Sequence, residues 1–230
     1  KYYKVGDLYV VNGEPLGLVY EISDGGAHGK VVALKAHRDL NLWYRTGLPY
    51  DEIHPEDPNN VGVIARSETD GQENMKAYKQ IPDWKTHYPV AAYVSDLNDE
   101  NGNPGWYLPA IKEVQAMVGW IDGEVLSPDG EAGQEPSEAM KEKRKAINQL
   151  IVDNGGNEFY FYGYDVSFII DQTNAWEADY FNRIYTSTET DYQVHPMVFK
   201  FYLRNGWWET MHVYGDLAGS YGEVRPFLAF

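Results

Sequence analysis

The chain contains no cysteine, which excludes disulfides, thiolate nucleophiles, zinc–thiolate sites and iron–sulfur clusters on chemical grounds. Its 230 residues also include no apolar run of the length that a transmembrane helix needs. The sequence begins at Lys1 without a methionine and shows no signal peptide, so we expect a mature or trimmed chain.

Positive charge is scarce: the chain has 19 Lys and Arg against 35 Asp and Glu, which gives a net charge of −16. Such a surface repels phosphate backbones and anionic lipid heads, so we expect neither a nucleic-acid partner nor membrane insertion. Acidic loops could hold calcium, but the nearest candidate fails: an EF-hand loop counted from Asp96 has Asn101 at its sixth position and Tyr107 at its twelfth. We therefore predict no metal site and no cofactor, although calcium stays open without a matching motif.

Motifs for catalysis are also missing. The six histidines show no metal-ligand spacing, no Gly-x-Ser-x-Gly elbow is present, and the Gly-rich stretches lack the Lys-Ser/Thr ending of a phosphate loop. Glycoside hydrolysis needs only two carboxylates, and 35 acidic residues make pairs easy to find. A hydrolase therefore stays open as an alternative, although the sequence favours a protein that is not an enzyme.

Aromatic residues are abundant, with 19 Tyr, 8 Phe and 7 Trp. Tyr and Trp combine a large contact area with a polar tip and are frequent both in strands and on binding surfaces. Trp207 and Trp208 are adjacent, so in a strand one ring can join the core while the other can stack on a ligand.

Strand-like runs at both ends and helical spacing in the middle predict one α+β domain over residues 1–230. Turn residues Asn12-Gly13 and Asn205-Gly206 predict hairpins. Irregular insertions are predicted at 36–71 and at 121–136, the second rich in Gly, Pro and acids.

Helices are predicted in three places: from Gly71 to Leu97, after Pro109, and from Ser137 to about Asn154. Pro109 suits the first turn of a helix, Ser137 suits an N-cap, and the glycines after Asn154 suit a helix end.

Three short phrases in this order resemble a known family: Trp106-Tyr107-Leu108-Pro109, Tyr185-Thr186-Ser187-Thr188-Glu189 and Val224-Arg225-Pro226. They are similar to the C-terminal domain of the Legionella collagen-like adhesin family, although Thr186 stands where that family usually has Trp. The resemblance implies a C-type-lectin-like fold with mixed or antiparallel sheets and two or three flanking helices. It also implies that the N- and C-terminal strands pair.

Within these phrases, five residues form a structural signature: Trp106, Leu108, Pro109, Arg225 and Pro226. We expect Trp106 and Leu108 to anchor the core, and Arg225 to be held by a carboxylate or by backbone carbonyls. The hydroxyls of Ser187 and Thr188 are expected to be satisfied by neighbours in a strand.

Candidate ligand contacts have two origins. The resemblance implies that Trp176, Tyr180 and Tyr185 lie in the segment that corresponds to the long loop of lectin-like folds, where ligands often bind, while Trp207 and Trp208 follow from their adjacency in a strand. The candidate ligand-binding residues are Trp176, Tyr180, Tyr185, Glu189, Trp207 and Trp208. Calcium lectins of this fold carry Glu-Pro-Asn or Gln-Pro-Asp runs, and Glu135-Pro136-Ser137 lacks the amide, so the usual calcium mechanism is not expected.

These observations predict a non-catalytic recognition or adhesion domain of a bacterial cell-surface or secreted protein, located outside the cell. Its partner would be a glycan or a protein, bound through an aromatic and acidic loop surface. Two alternatives remain open: a structural or assembly module of a larger surface lipoprotein or pilus-like tip, and a glycoside hydrolase.

Overall fold

A computed structural model describes the chain in eight ranges: residues 1–37, 65–100, 104–123, 137–159, 183–189, 196–202, 207–212 and 223–230. Within them the fold is mixed α+β, which confirms the predicted class. Segments 38–64 and 124–136, most of the two predicted insertions, lie outside the described residues.

Seven strands form two sheets, and their bounds are β1 Leu8–Val11, β2 Glu14–Ser23, β3 His28–Ala33, β4 Arg183–Glu189, β5 Pro196–Tyr202, β6 Trp207–His212 and β7 Phe227–Ala229. The first sheet is antiparallel with four strands in the order β1-β2-β3-β7. The second is antiparallel with three strands in the order β4-β5-β6.

The hairpin predicted at Asn12-Gly13 is confirmed, since β1 and β2 pair antiparallel on either side of these two residues. Both have positive φ, 52° at Asn12 and 86° at Gly13, as a two-residue turn that matches strand twist requires. The strands β5 and β6 also pair as a hairpin, with Tyr202 opposite Trp207, while the tip at 203–206 lies outside the described residues.

The prediction that the first and last strands pair is wrong. The last strand, β7, pairs with β3, and β1 lies at the opposite edge of the sheet. The hairpin partner β2 is occupied on both sides, so β7 extends the sheet at β3, where Phe227 and Leu228 complete a buried row beside Val31 and Val32. The chain ends still meet, because the rings of Tyr3 and Phe230 lie 5.1 Å apart.

The segment before β7 connects the two sheets through backbone bridges. Val224 pairs with His37 and Glu223 pairs with Ile184 of β4, while Phe227, the first residue of β7, pairs with Tyr107. One short stretch of chain therefore fixes the end of the first sheet, the start of the second, and the loop that carries Tyr107.

Five helices occur in the described ranges: α1 Gly71–Tyr78, α2 Trp84–His87, α3 Pro89–Glu100, α4 Ile111–Asp122 and α5 Glu138–Asp153. This exceeds the two or three helices that were expected. The first predicted helix is divided into α1, α2 and α3 because Pro82 and Pro89 cannot continue a helix and Asp83 has a left-handed φ of 54°.

The predicted start of α4 after Pro109 and the predicted start and end of α5 are confirmed, with Pro109 directly before the N-cap residue Ala110. Ser137 caps α5 by accepting a hydrogen bond from the Met140 amide at 3.3 Å, and α5 ends at Asp153, directly before Asn154. At α4, the Glu113 carboxylate reaches back to the Ala110 amide at 2.9 Å. The apolar face of α4 packs against β2 and β4 and closes the core.

Candidate functional site

Arg225 is a fully buried cation at the end of the first sheet. Its Nε–H donates to Glu223 Oε1 at 2.6 Å, and neither side chain of this ion pair has measurable exposure. The guanidinium also lies 4.3 Å from the centre of the Phe159 ring, an arrangement that favours a planar cation.

The remaining donors of Arg225 bind backbone carbonyls from two separate segments. Nη1 donates to the carbonyls of Ala33 and Leu34, each at 2.9 Å, and Nη2 donates to those of Asn157 and Glu158 at 2.7 and 3.2 Å. Arg225 was expected to be held by a carboxylate or by backbone carbonyls, and it binds both. The side chain thereby fixes the end of β3 against the chain that follows α5.

Further contacts hold the turn after α5 against the same end of β3. Asn157 donates its amide to the Leu34 carbonyl and accepts from the Ala36 amide through Oδ1, both at 2.9 Å. Gly156 is required here, because a Cβ at this position would lie 2.5 Å from the Leu34 carbonyl oxygen.

The loop before Trp106 is held by Asn98 of α3. Asn98 Oδ1 accepts from the amides of Gly105 at 3.1 Å and Trp106 at 2.7 Å, and Nδ2 donates to the Trp106 carbonyl at 2.8 Å. Three hydrogen bonds from one side chain fix this loop, because each satisfies a main-chain group that the loop leaves without a regular partner.

Between these fixed segments lies a surface cavity of about 290 Å³. This is near the lower end of the roughly 300–1,000 Å³ that small-molecule sites occupy. Ten lining residues are apolar or aromatic: Val11, Pro15, Leu16, Ala33, Leu34, Tyr93, Leu97, Pro104, Trp106 and Pro226. Four are polar: Asn12, Glu14, Lys35 and Asn154.

The charged residues of the cavity lie at its rim. Glu14 and Lys35 are exposed, and neither forms an ion pair within the described ranges. On another side of the cavity, the Tyr93 ring stacks on His37 with centroids 4.7 Å apart and planes 23° apart. The cavity therefore has a mixed lining, in which apolar side chains lie beside two asparagines and beside one anionic and one cationic group that face solvent.

Glu113 forms a second polar centre, inside the core. Its Oε2 accepts from the amides of Gly71 at 3.0 Å and Ala110 at 2.9 Å, so one carboxylate caps the starts of both α1 and α4. Its Oε1 accepts from the Tyr107 hydroxyl at 2.8 Å and lies 3.1 Å from Lys30 Nζ. Burial and the adjacent Glu113 charge raise the pKa of Tyr107 well above its usual range.

Ser187 and Thr188 of β4 belong to the same buried region, and their hydroxyls are satisfied as expected. Ser187 Oγ donates to the Pro109 carbonyl at 3.2 Å and accepts from Asn74 Nδ2 at 3.0 Å. Thr188 Oγ1 accepts from the Ile111 amide at 3.0 Å. These contacts attach β4 to the start of α4.

Tyr185 and Glu189, two of the predicted ligand contacts, also lie in β4. They are 1% and 4% exposed, and Glu189 Oε2 accepts from the Ala65 amide at 3.1 Å. Both side chains are thus part of the interior, and we leave them out of the proposed ligand site.

The other predicted ligand contacts are placed only in part. Trp176 and Tyr180 lie outside the described residues. For Trp207 and Trp208 the structure gives the backbone, which pairs with Tyr202 and Phe201 in the β5–β6 hairpin. Their role in binding stays a prediction.

Two residues of the structural signature contribute to the cavity directly, since Trp106 and Pro226 line it. Trp106 is 8% exposed, and Leu108 and Pro109 are buried, in agreement with anchoring roles in the core. The cavity itself could not be predicted from the sequence. Turn residues before Trp106 and after α5 indicate two of the loops that surround the cavity. They do not indicate that these loops lie next to each other in the fold.

No group of three or more His, Asp or Glu side chains in the described ranges is arranged to hold a metal ion. No helix in those ranges combines the length and the apolar character needed to cross a bilayer.

Comparisons with known proteins do not place the chain in a family: it matches no family model, no curated protein and no solved structure.

Proposed function

We propose that this chain is a non-catalytic recognition domain of a bacterial surface or secreted protein, with a C-type-lectin-like fold. Its cavity at the end of the first sheet would bind part of a glycan or protein partner outside the cell. The three signature phrases support the fold, and the α+β arrangement with two antiparallel sheets agrees with it. The domain uses its own side chains for binding and needs no cofactor.

The observation that carries this proposal is the cavity whose walls are fixed by dedicated hydrogen bonds. Arg225 holds the end of β3, Asn98 holds the Trp106 loop, and Asn157 holds the turn after α5. A site fixed before binding loses less conformational entropy when the ligand enters, which favours affinity. Scaffold contacts alone would not need an open space between the segments that they join.

The composition of the lining favours recognition over hydrolysis at this cavity. Glycosidases place two carboxyl groups on either side of the scissile bond. In the described lining, Glu14 is the one carboxylate, and it lies at the exposed rim. We therefore do not propose catalysis here.

The test is binding of the purified chain to an array of glycans and peptides, repeated with a variant that fills the cavity. Leu97→Trp adds volume at a half-buried lining position of α3. The control, Ile22→Trp, adds the same ring at an exposed position of β2. We expect the first variant to lose the signals and the second to keep them. Signals that Leu97→Trp leaves unchanged would place the ligand elsewhere and contradict the proposed site.

A further inference from the structure

We infer that the cavity takes one apolar side chain of a peptide or protein segment, with a basic and an acidic group of that segment paired to Glu14 and Lys35. This inference rests on the proposed function, and it specifies the partner as a protein and not a glycan. Three features of the described residues lead to it.

The first feature is the lining of the interior. Leu16, Leu34 and Leu97 together with Pro15 and Pro104 present aliphatic surface, which suits an aliphatic or aromatic side chain. Burial of such a side chain contributes binding free energy in proportion to the apolar area removed from water. A sugar ring would instead need many hydrogen bonds to its hydroxyls, and the leucine and proline side chains offer none. Of the two asparagines in the lining, Asn12 and Asn154, the second already donates its Nδ2 to the Leu150 carbonyl at 2.8 Å.

The second feature is the state of the two aromatic rings. Sugars bind proteins by stacking on an accessible ring face, but Trp106 is 8% exposed. One face of the Tyr93 ring is covered by His37 at a centroid distance of 4.7 Å. The two rings are therefore walls of the cavity that an inserted side chain would contact. Neither ring is a platform on which a pyranose would stack.

The third feature is charge. Glu14 and Lys35 have opposite signs, lie exposed at the rim and have no ion-pair partner within the described ranges, so a ligand that carries both signs can pair with both. Peptides carry both signs within a few residues, whereas neutral saccharides carry neither. The net charge of −16 also disfavours the anionic sulfated or uronic-acid glycans that could pair with Lys35.

The test measures dissociation constants by calorimetry for blocked tripeptides. The parent probe is acetyl-Lys-Leu-Glu-amide, and two derivatives remove one property each: acetyl-Lys-Ala-Glu-amide lacks the apolar anchor, and acetyl-Ser-Leu-Ser-amide lacks the charges. We expect the alanine peptide to bind about 10- to 50-fold more weakly, from the burial of the extra methylene groups. The serine peptide should bind about 3- to 10-fold more weakly, since both exposed ion pairs are lost.

Protein variants locate the charge contacts. Glu14→Gln and Lys35→Met should each weaken the parent peptide about two- to fivefold and leave the serine peptide unchanged. The matched controls Glu142→Gln and Lys145→Met alter exposed charges on α5 and should leave both peptides unchanged. Equal weakening by the controls would show a general charge effect and would contradict the assignment of Glu14 and Lys35.

Saccharides form the opposing arm of the experiment, with cellobiose, maltose and N,N′-diacetylchitobiose as probes. The inference requires that none of them competes with the parent peptide. If a saccharide binds, loses binding in Leu97→Trp and the peptides do not bind, the partner is a glycan: the inference is overturned and the proposed function stands. If the parent peptide binds and Leu97→Trp does not weaken it, both the inference and the proposed site are overturned.

Discussion

Arg225 and Glu113 are both buried charges that gather backbone groups, but they gather opposite kinds of group in different surroundings. Arg225 collects carbonyl oxygens where β3 ends, and Glu113 collects amide hydrogens where α1 and α4 begin. The segments held by Arg225 border an open cavity, whereas Glu113 is enclosed in the core at 4% exposure.

The two residues show how polar side chains that hold the fold differ from polar side chains that a ligand can reach. A buried charge with all its contacts inside the protein belongs to the scaffold, because removing it would leave its partners uncompensated at a cost of several kcal/mol. The residues available to a ligand are the exposed ones beside such a network, here Glu14 and Lys35. The following predictions test this separation, beginning with the largest effect.

Replacing Arg225 should have the largest effect on stability. Arg225→Met leaves Glu223 buried without its cation and removes the donors to four carbonyls. We expect the free energy of unfolding to fall by about 3–5 kcal/mol in urea denaturation. The double variant Arg225→Met with Glu223→Gln should recover part of this loss, because the buried charge is gone. A loss below about 1 kcal/mol would show that the network does not hold this end of the sheet.

Replacing Glu113 should have a smaller effect on stability and none on the cavity. Glu113→Gln removes the charge facing Lys30 and replaces one acceptor oxygen with an amide, so we expect a loss of about 1.5–3 kcal/mol in the same assay. Glu142→Gln, an exposed change on α5, should stay within about 0.5 kcal/mol of the parent chain. Peptide binding measured below the unfolding range should be unchanged, and a binding defect would contradict the separation of the two networks.

Replacing Tyr20 should give the smallest change in the free energy of unfolding, and this change should stabilise the fold. Tyr20 is the extra residue of a bulge between β2 and β3, it is buried, and its hydroxyl has no hydrogen-bond partner among the described residues. Tyr20→Phe should therefore raise the free energy of unfolding by up to about 1 kcal/mol at pH 7. Tyr107→Phe is the matched contrast, because it removes the hydrogen bond to Glu113 and should destabilise.

The same tyrosines predict a loss of stability at alkaline pH. Burial, then neighbouring Tyr107 and Glu113, raises the pKa of Tyr20 well above its usual range. Unfolded tyrosine loses its proton near pH ~10, so this stability is fully present below that pH and falls above it. The fall should be about 1.4 kcal/mol per pH unit for each such tyrosine and shallower in Tyr20→Phe. A slope unchanged by the substitution would contradict the assignment to Tyr20.

Local features of the fold could be predicted where neighbouring residues determine the conformation. Asn12-Gly13 specifies a turn with two positive φ angles, and Ser137 supplies the side chain that caps α5. The pairing of β7 with β3 could not be read in this way, since strand order depends on which sheet edge is available after the hairpin forms.

The cavity could not be predicted for a similar reason. Its lining comes from the β1–β2 hairpin, the end of β3, α3, the Trp106 loop, the turn after α5 and Pro226. No single window of sequence contains enough of these to show an apolar concave surface. The sequence did indicate that Arg225 and Trp106 are structural anchors. Their contacts explain why the surrounding segments meet at the cavity.

The most direct test of the central claim is methyl-resolved NMR of the chain titrated with acetyl-Lys-Leu-Glu-amide. The account predicts shifts at the methyl groups of Leu16, Leu34 and Leu97, which line the cavity, and none at Leu108, which is buried in the core. Leu97→Trp should abolish the shifts at Leu16 and Leu34. Binding that leaves these three leucines unperturbed would contradict the claim that the cavity fixed by Arg225 and Asn98 is the ligand site.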